Sequence, residues 1–391
     1  MGRRERRFRI SPQRLPMKVQ FSSLGRAAAL LKVAASFTSR ITDALAYLRL
    51  EALADSFTVT ANGDEGQFLL TIPGVTIIEM GTIIVRADLV SGLFGKNAHA
   101  DAGTLSVKDA TSAEMKVGRN RYTLRRLLAV DNLIEVPSES PIGGAEMASE
   151  QMVDAFDFVT HAMARSDVRY YLNGCCVTVG TKTVEFAATD GHRLARTIER
   201  IEESVRLSSG SVIVPQAAVP KIVAALAATG DKRVRLVPVG TGFCVCTESF
   251  ALHGKSIDGR YPDVNAVIPK EAGSSAVISA KALMVTLDRT GLISAGQKFP
   301  HVDCRSSGGG LVFTYEGDAG EIEEHIDADF DGPPGAFDFR LDPHYLRDAA
   351  AAVGAGQIRL TVMPDPNRPI RWTGSDAAAD QRGGVIMPMR R

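Results

Sequence analysis

Apolar residues follow two rhythms along the chain. Over GRAAALLKVAASFTSR (25–40) they recur every three to four positions, the spacing that gathers one face of a helix. Over LVFTYEGD (311–318) they recur at every second position, the spacing of a half-buried strand. The helical stretch has two counterparts, EQMVDAFDFVTHAMAR from 150 and AKALMVTLDRTGLISAG from 280, at spacings of 125 and 130 residues. A strand running into a helix also occurs three times, as GTIIVRADLVSGLF (81), GSVIVPQAAVPKIVAAL (210) and GAFDFRLDPHYLRDAAAAV (335), spaced by 129 and 125 residues. Strands closing at an aspartate turn end at Asp64, Asp190 and Asp318, spaced by 126 and 128 residues. Three features in step predict three copies of one unit. The two helix-bearing segments of each copy lie 56, 60 and 55 residues apart, so each copy divides into two halves with one helix apiece.

Between the helices lie short alternating runs closed by turns such as ANGD, DGHR and EGDAG. This pattern predicts an α+β fold of antiparallel sheets with the helices segregated to one face. Punctuation at VPSESPIGG (136–144) and IPKEAGSS (268–275) sets the expected domains at 17–136, 145–268 and 275–391. Residues 1–16 precede the first copy, and two readings stand for them: a disordered tail, or translation from a start upstream of Met17.

Charge changes the picture only once that tail is set apart. The 45 basic and 45 acidic residues balance, but without the tail's six arginines and one glutamate the chain carries 39 and 44. A body of net −5 is no polycation, so any meeting with nucleic acid falls to a local patch. The five cysteines lie in strand-like runs without the spacing of a disulfide framework or a paired zinc site, which fits a reducing cytosol. No stretch approaches about 18 uncharged apolar residues, which argues against a membrane span.

Equivalent units either stack openly or close on themselves, and closure by self-association removes exposed sheet edges. A ring with helices lining the hole would encircle something. At this point particular residues point to a family: ATDGHRL (188–194), together with a chain end of VIMPMR (385–390), resembles the bacterial DNA polymerase III β subunit, the replicative sliding clamp. DVRYYLNG (167–174), DGRYPDV (258–264), SVIVP (211–215) and KVGRNRYTL (116–124) are similar to the same family. The resemblance covers about residues 17–391 and is strongest in the middle copy and at the C-terminus. It implies a non-catalytic, cytoplasmic, nucleoid-associated processivity factor without cofactor or metal. Two head-to-tail chains would form a six-domain ring around duplex DNA, opened by a clamp loader. Polymerase, loader and repair polymerases would bind it through short linear peptides.

The resemblance also implies site residues. The peptide groove, between the second and third domains, would be walled by Leu172, Thr189, Gly191, His192, Arg193, Leu194, Pro262, Val267 and Phe330, with Val385, Ile386, Met387, Pro388 and Met389 from the C-terminal strand. Arg193 and the turn amides would fix a polar end of the peptide. Arg40, Arg169, Tyr170 and Tyr171 would lie near DNA, the two tyrosines opening a strand with one side chain on each face. Leu292 and Ile293 would close the dimer. Scattered basic residues expected on the helices, Arg26, Lys32, Arg40, Arg86, Lys221, Arg289 and Arg347, suit a weak, sliding contact as well as they suit ordinary surface charge.

Other motifs point elsewhere. HGKS (253–256) lacks the first glycine of a phosphate loop, since Ser249 stands there. Asp327, Asp329, Asp331, Gly332 and Asp338 approach a calcium loop, but Pro333 and Pro334 fill its middle and strand-like sequence replaces its helices. Two rival readings remain at this stage. One is a metal- or acid/base-dependent hydrolase using the Asp190–His192 turn or the acidic 321–331 segment. The other is a clamp-fold interaction protein that no longer encircles DNA. Arg391, Gln216 and Ala266 depart from the usual clamp pattern and leave partner specificity, and a main or accessory role, open.

Overall fold

The computed structural model describes residues 17–39, 41, 45–128, 143–202, 210–271, 273–293, 300–333, 335–375 and 381–390. Arg40, Arg391 and the 1–16 tail lie outside the described residues, as does most of the 136–144 linker.

A strand–helix–three-strand order occurs six times along the chain. The first copy has β1 (Lys18–Phe21), α1 (Leu24–Ser36), β2 (Tyr47–Ala52), β3 (Phe57–Gly63) and β4 (Gly66–Thr71). Its second half has β5 (Val75–Glu79), β6 (Gly81–Arg86), α2 (Ala87–Lys96), β7 (Gly103–Asp109), β8 (Ser112–Val117) and β9 (Asn120–Arg125). The second copy has β10 (Ala145–Ala148), α3 (Ser149–Thr160), β11 (Gly174–Val179), β12 (Thr183–Thr189) and β13 (Arg193–Arg200), then β14 (Gly210–Pro215), α4 (Val219–Thr229), β15 (Arg233–Val239), β16 (Gly242–Cys246) and β17 (Phe250–Lys255). A short helix, α5 (Val264–Val267), leads to the third copy. There β18 (Ser274–Ser279), α6 (Ala280–Ile293), β19 (Val302–Ser307), β20 (Gly310–Gly317) and β21 (Gly320–Asp327) precede β22 (Asp329–Asp331), β23 (Asp338–Leu341), α7 (Pro343–Val353), β24 (Gln357–Val362), β25 (Ile370–Gly374) and β26 (Arg382–Ile386). The α+β class read from the sequence is the class the structure has.

Local chemistry explains the helix ends. Ser23 caps α1 by accepting from the Arg26 amide at 3.3 Å, and Asp342 caps α7 by accepting from the His344 amide at 2.8 Å. Pro343 and Pro220 occupy first-turn positions where no amide hydrogen is needed. Gly230 ends α4 in the left-handed conformation, φ 71°.

The chain forms two compact units. The first takes the described residues of Met1–Ile142 with Ala217–Lys255. It holds a sheet ordered β5-β1-β7-β8-β9 and a run β15-β16-β17-β4-β3-β2-β6. Helix α4 and strands β15–β17 of the middle copy belong here because β17 pairs antiparallel with β4, Phe250 opposite Leu70 and Gly254 opposite Gly66. Helix α1 packs on α2 and α4, and Phe37 stacks on Phe68 at 4.2 Å.

The second unit takes the described residues of Gly143–Gln216 with Ser256–Arg391. Its nine-stranded sheet runs β14-β11-β12-β13-β26-β25-β24-β18-β22, and a smaller sheet runs β21-β20-β19-β23. The middle and third copies join where β13 pairs antiparallel with β26, Arg193 opposite Ile386 and Leu194 opposite Val385. Helix α7 packs on α6 and α3, and Trp372, fully buried, is the largest side chain of this core.

Two expectations are corrected here. Tyr170 and Tyr171 do not open a strand: Tyr170–Leu172 form a single 3-10 turn, and β11 starts only at Gly174. Asp167 and Asn173 close that turn, the Asn173 side chain bridging the Asp167 amide and carbonyl at 2.9 and 3.0 Å. The basic residues expected on helices are also fewer and less free. Arg86 ends a strand, and Lys221, Arg289 and Arg347 are ion-paired to Glu65, Glu324 and Asp288 at 2.7, 2.8 and 2.6 Å. Arg26 and Lys32, both on α1, stand exposed.

Candidate functional site: an apolar cleft at the β13–β26 junction

The β13–β26 pairing brings the turn before β13 alongside the C-terminal strand. Leu194 and Val385 face one another across it and form a buried cluster with Ala187 and Val264, against which Tyr261 and Ile268 pack. Above this cluster opens a cleft of about 160 Å³, lined by Arg169, Tyr171, Leu172, Thr189, Gly191, His192, Arg193, Leu194, Pro262, Val264, Val267, Val385 and Met387. A cavity of about 150 Å³ admits benzene, so this cleft has room for one large apolar side chain.

One wall is a tight turn over 189–193. Asp190 accepts from the His192 and Arg193 amides at 2.9 and 3.0 Å, and the Thr189 hydroxyl donates to the Arg193 carbonyl at 2.7 Å. Gly191 sits at φ 90°, and a Cβ there would lie 2.8 Å from both terminal nitrogens of Arg169. The backbone of the turn therefore favours glycine, and any side chain there would also have to push the Arg169 guanidinium aside. Tyr261 anchors the turn from below by accepting from the Thr189 amide at 2.9 Å, and burial pushes its phenol pKa up. The Met387 amide donates to the His192 carbonyl at 2.8 Å, tying the chain end to the turn.

The charged lining is already engaged. Arg193 pairs with Asp190 at 3.1 Å and with Asp348 of α7 at 2.6 Å, while its guanidinium lies 4.5 Å from the centre of the Tyr345 ring. Only 13% of its side chain is exposed. Arg169 holds Asp167 through two bonds, 3.1 and 2.8 Å, and donates to the Asp190 carbonyl at 3.0 Å. The hydrogen bonds from Arg169 hold the Asp167 carboxyl down to about 2. His192 stacks beside Tyr345 at 6.4 Å.

The structure thus brings ten of the fourteen residues named for the groove around one cleft, and it places four elsewhere. Ile386 is fully buried in the sheet, opposite Arg193 and Ile370. Pro388 follows half-buried, and Met389 bridges to Arg340. Phe330 lies on edge strand β22, its ring against Phe337 at 5.6 Å. Val264 was missed, although it closes the DGRYPDV motif (258–264). Arg169 and Tyr171, named for DNA, also line the cleft. Tyr170 is 56% exposed, with its ring 5.9 Å from that of Tyr171. Leu292 is 79% exposed at the end of α6, and Ile293 lies close to Gly320 at the start of β21.

All five cysteines are buried and none is in a disulfide, and no group of three or more histidine, cysteine or acidic side chains is placed to hold a metal ion among the described residues. No helix among those residues is long and apolar enough to cross a membrane.

Comparison with known proteins gives a consistent result. Residues 146–263 match the family model described as the DNA polymerase III beta subunit, central domain, and residues 265–390 the C-terminal domain of the same subunit. The beta sliding clamp of Pseudomonas putida is 30% identical over 281 residues, 71% of this chain and 73% of that protein. That of Proteus mirabilis is 27% identical over 354 residues, 88% and 92%. The crystal structure of the DNA polymerase III subunit beta from Pseudomonas aeruginosa, 23% identical, shares the fold with a TM-score of 0.85 over 96% of this chain and 100% of that one.

Proposed function

The chain belongs to the DNA polymerase III beta subunit family, the non-catalytic sliding clamps of DNA replication, and from that premise we propose that two copies join head to tail into a ring that slides on duplex DNA. Residues 17–136, 145–268 and 275–391 are its three domains. The apolar cleft at the β13–β26 junction takes a short linear peptide from a replicative or repair polymerase, or from the loader.

One observation carries the ring. In both junctions between copies, the last strand of one copy's first half pairs with the last strand of the next copy's second half: β4 with β17, and β13 with β26. The two strands left in these roles, β21 and β9, each end a sheet among the described residues. A second chain offers each the partner it lacks. The outward row of β21 carries Glu321, Glu323, His325 and Asp327, with His325 3.0 Å from Glu323, whereas that of β9 carries Arg121 and Arg125. Opposite edges therefore attract and like edges repel, which selects head-to-tail over head-to-head pairing. Exposed Leu292, on the helix that packs against β21, adds apolar surface at the same place.

The cleft supports the tether. Its floor of Leu194, Val264 and Val385, with adaptable Met387 at the side, suits an apolar anchor of an extended peptide. Weak contact with DNA follows from the paired state of Lys221, Arg289 and Arg347, because a clamp held by many phosphate contacts would not slide. Tyr170, exposed and unengaged by the cleft, remains the DNA-facing candidate of its turn.

The test is retention on nicked circular DNA with a cognate loader. A ring stays bound through a high-salt wash and is lost when the circle is linearised. Equal retention before and after linearisation would refute it. Deleting 385–391 should abolish peptide binding to the purified protein.

A further inference from the structure

β16 carries two of the five cysteines, Cys244 and Cys246, two positions apart and hence on one face of its sheet. That face turns away from the helices. On the other face Phe250 packs against Phe68, which stacks on Phe37 at the end of α1. Cys244 stands opposite Val237 and His253, and Cys246 opposite Arg235 and Ala251. Val237 and Ala251 pack with the two cysteines into a small apolar patch, flanked on the same face by half-buried Arg235 and His253. Val239, next on that face of β15, is 45% exposed, so the patch borders solvent. The Cys246 thiol hydrogen-bonds to that of Cys244, and this bond together with burial pushes the Cys244 pKa up. The two sulfurs are therefore in contact. Cys175 and Cys176, adjacent on β11, point to opposite faces, and Cys304 lies on β19 without a second cysteine.

From this we infer that Cys244 and Cys246 form a two-thiolate site for a soft monovalent cation of the copper(I) class. The site lies within the first unit and depends on neither the ring nor the peptide cleft. Donor count selects the ion. No third histidine, cysteine or carboxylate is placed with the pair to hold a metal among the described residues. Zinc, which takes four ligands, and calcium or magnesium, which take oxygens, are therefore not served. Copper(I) prefers thiolates and accepts two of them in line. Positions two apart on a strand lie about 6.6 Å apart, so two sulfurs leaning inward can hold one ion between them. On binding, each thiol gives its proton to solvent and two copper–sulfur bonds form, with no change of oxidation state. The complex carries one negative charge, which Arg235, close enough to act on the Cys244 thiol, offsets.

The test uses the full reduced chain, without oxygen, in buffer free of thiols. Copper(I) is supplied as its bathocuproine disulfonate complex, whose colour fades as the protein takes the ion. The wild type should withdraw one equivalent per chain and gain a thiolate-to-copper absorption band in the near ultraviolet. Cys244→Ala and Cys246→Ala should each weaken binding by more than the roughly 100-fold that losing an outer-shell partner of a metal ligand costs. Cys176→Ala should leave binding as it was. A wild type that takes no copper(I) overturns the inference, as does binding that survives the loss of both Cys244 and Cys246. Should an alanine variant fail to fold, phenylarsine oxide decides on the wild type alone. This reagent bridges two neighbouring thiols, forming two arsenic–sulfur bonds and releasing water. After removal of excess reagent and alkylation in denaturant, peptide mapping should find Cys244 and Cys246 shielded and the other three cysteines labelled; labelling of all five overturns the site.

Discussion

Reversing the charge of β9 with Arg121→Glu and Arg125→Glu should open the dimer. Both arginines are exposed on the outward row of an edge strand, so neither supports the monomer's core. In the ring they would face the Glu321, Glu323 and Asp327 row of a second chain. An exposed cross-strand ion pair contributes about 0.2–1 kcal/mol, and reversal turns each attraction into a repulsion of similar size. Two positions per junction and two junctions per ring give a loss of roughly 2–8 kcal/mol. At about 1.4 kcal/mol per decade, the dissociation constant should rise at least tenfold. Sedimentation over a concentration series measures it. Added salt should narrow the gap between variant and wild type, since exposed charges are screened over about 10 Å at 0.1 M. Adding Glu323→Arg and Asp327→Arg, spaced by four residues as Arg121 and Arg125 are, to the same chain should restore the dimer, because both partners of each contact are then exchanged. An unchanged dissociation constant, or a quadruple variant no better than the double, refutes the pairing of these two edges.

Two further outcomes follow from the second unit. Gly384 lies between β13 and β25, where a Cβ would fall onto the Leu194 carbonyl oxygen and 2.8 Å from Trp372 Nε1, so Gly384→Ala should cost at least about 1–3 kcal/mol in chemical denaturation and weaken peptide binding by displacing Val385. His161 has two buried ring nitrogens with no hydrogen-bond partner among the described residues, and burial, helped by the charge of Arg193, pulls its pKa down to about 4. Unfolded, the same imidazole titrates near 6.5, so between those values only the unfolded chain carries the proton. Stability is then complete above about pH 6.5 and declines as the pH falls toward 4, by up to about 3 kcal/mol. Thermal melts from pH 7.5 to 5 should show this slope in the wild type and a flatter one in His161→Phe; parallel slopes would refute the assignment.

What the sequence determined by itself is periodic and local. The spacing of apolar residues placed six helices and the strands between them, because a helix or strand must turn one face inward whatever it packs against. Asp64, Asp190 and Asp318 marked turns that the structure has, since the conformational needs of a tight turn are met within a few residues. Motifs around 188–194 and 385–390 pointed to the right family. Charge and exposure were not legible in this way. Arg169 and Arg193 look alike in the chain; Asp167, two residues away, engages the first locally, whereas only folding brought Asp348, 155 residues away, to the second. Tyr171 read as a strand residue because its aromatic ring suits a sheet, but Asn173 closes a 3-10 turn there and aims the ring at the cleft. Ile386 and Val385 are neighbours of the same kind, yet alternation across β26 buries one in the sheet and gives the other to the cleft floor. Tertiary structure decided the pairing of Asp348 with Arg193 and of Val385 with Leu194, because each depends on which distant helix or strand arrives alongside, and no local pattern encodes that.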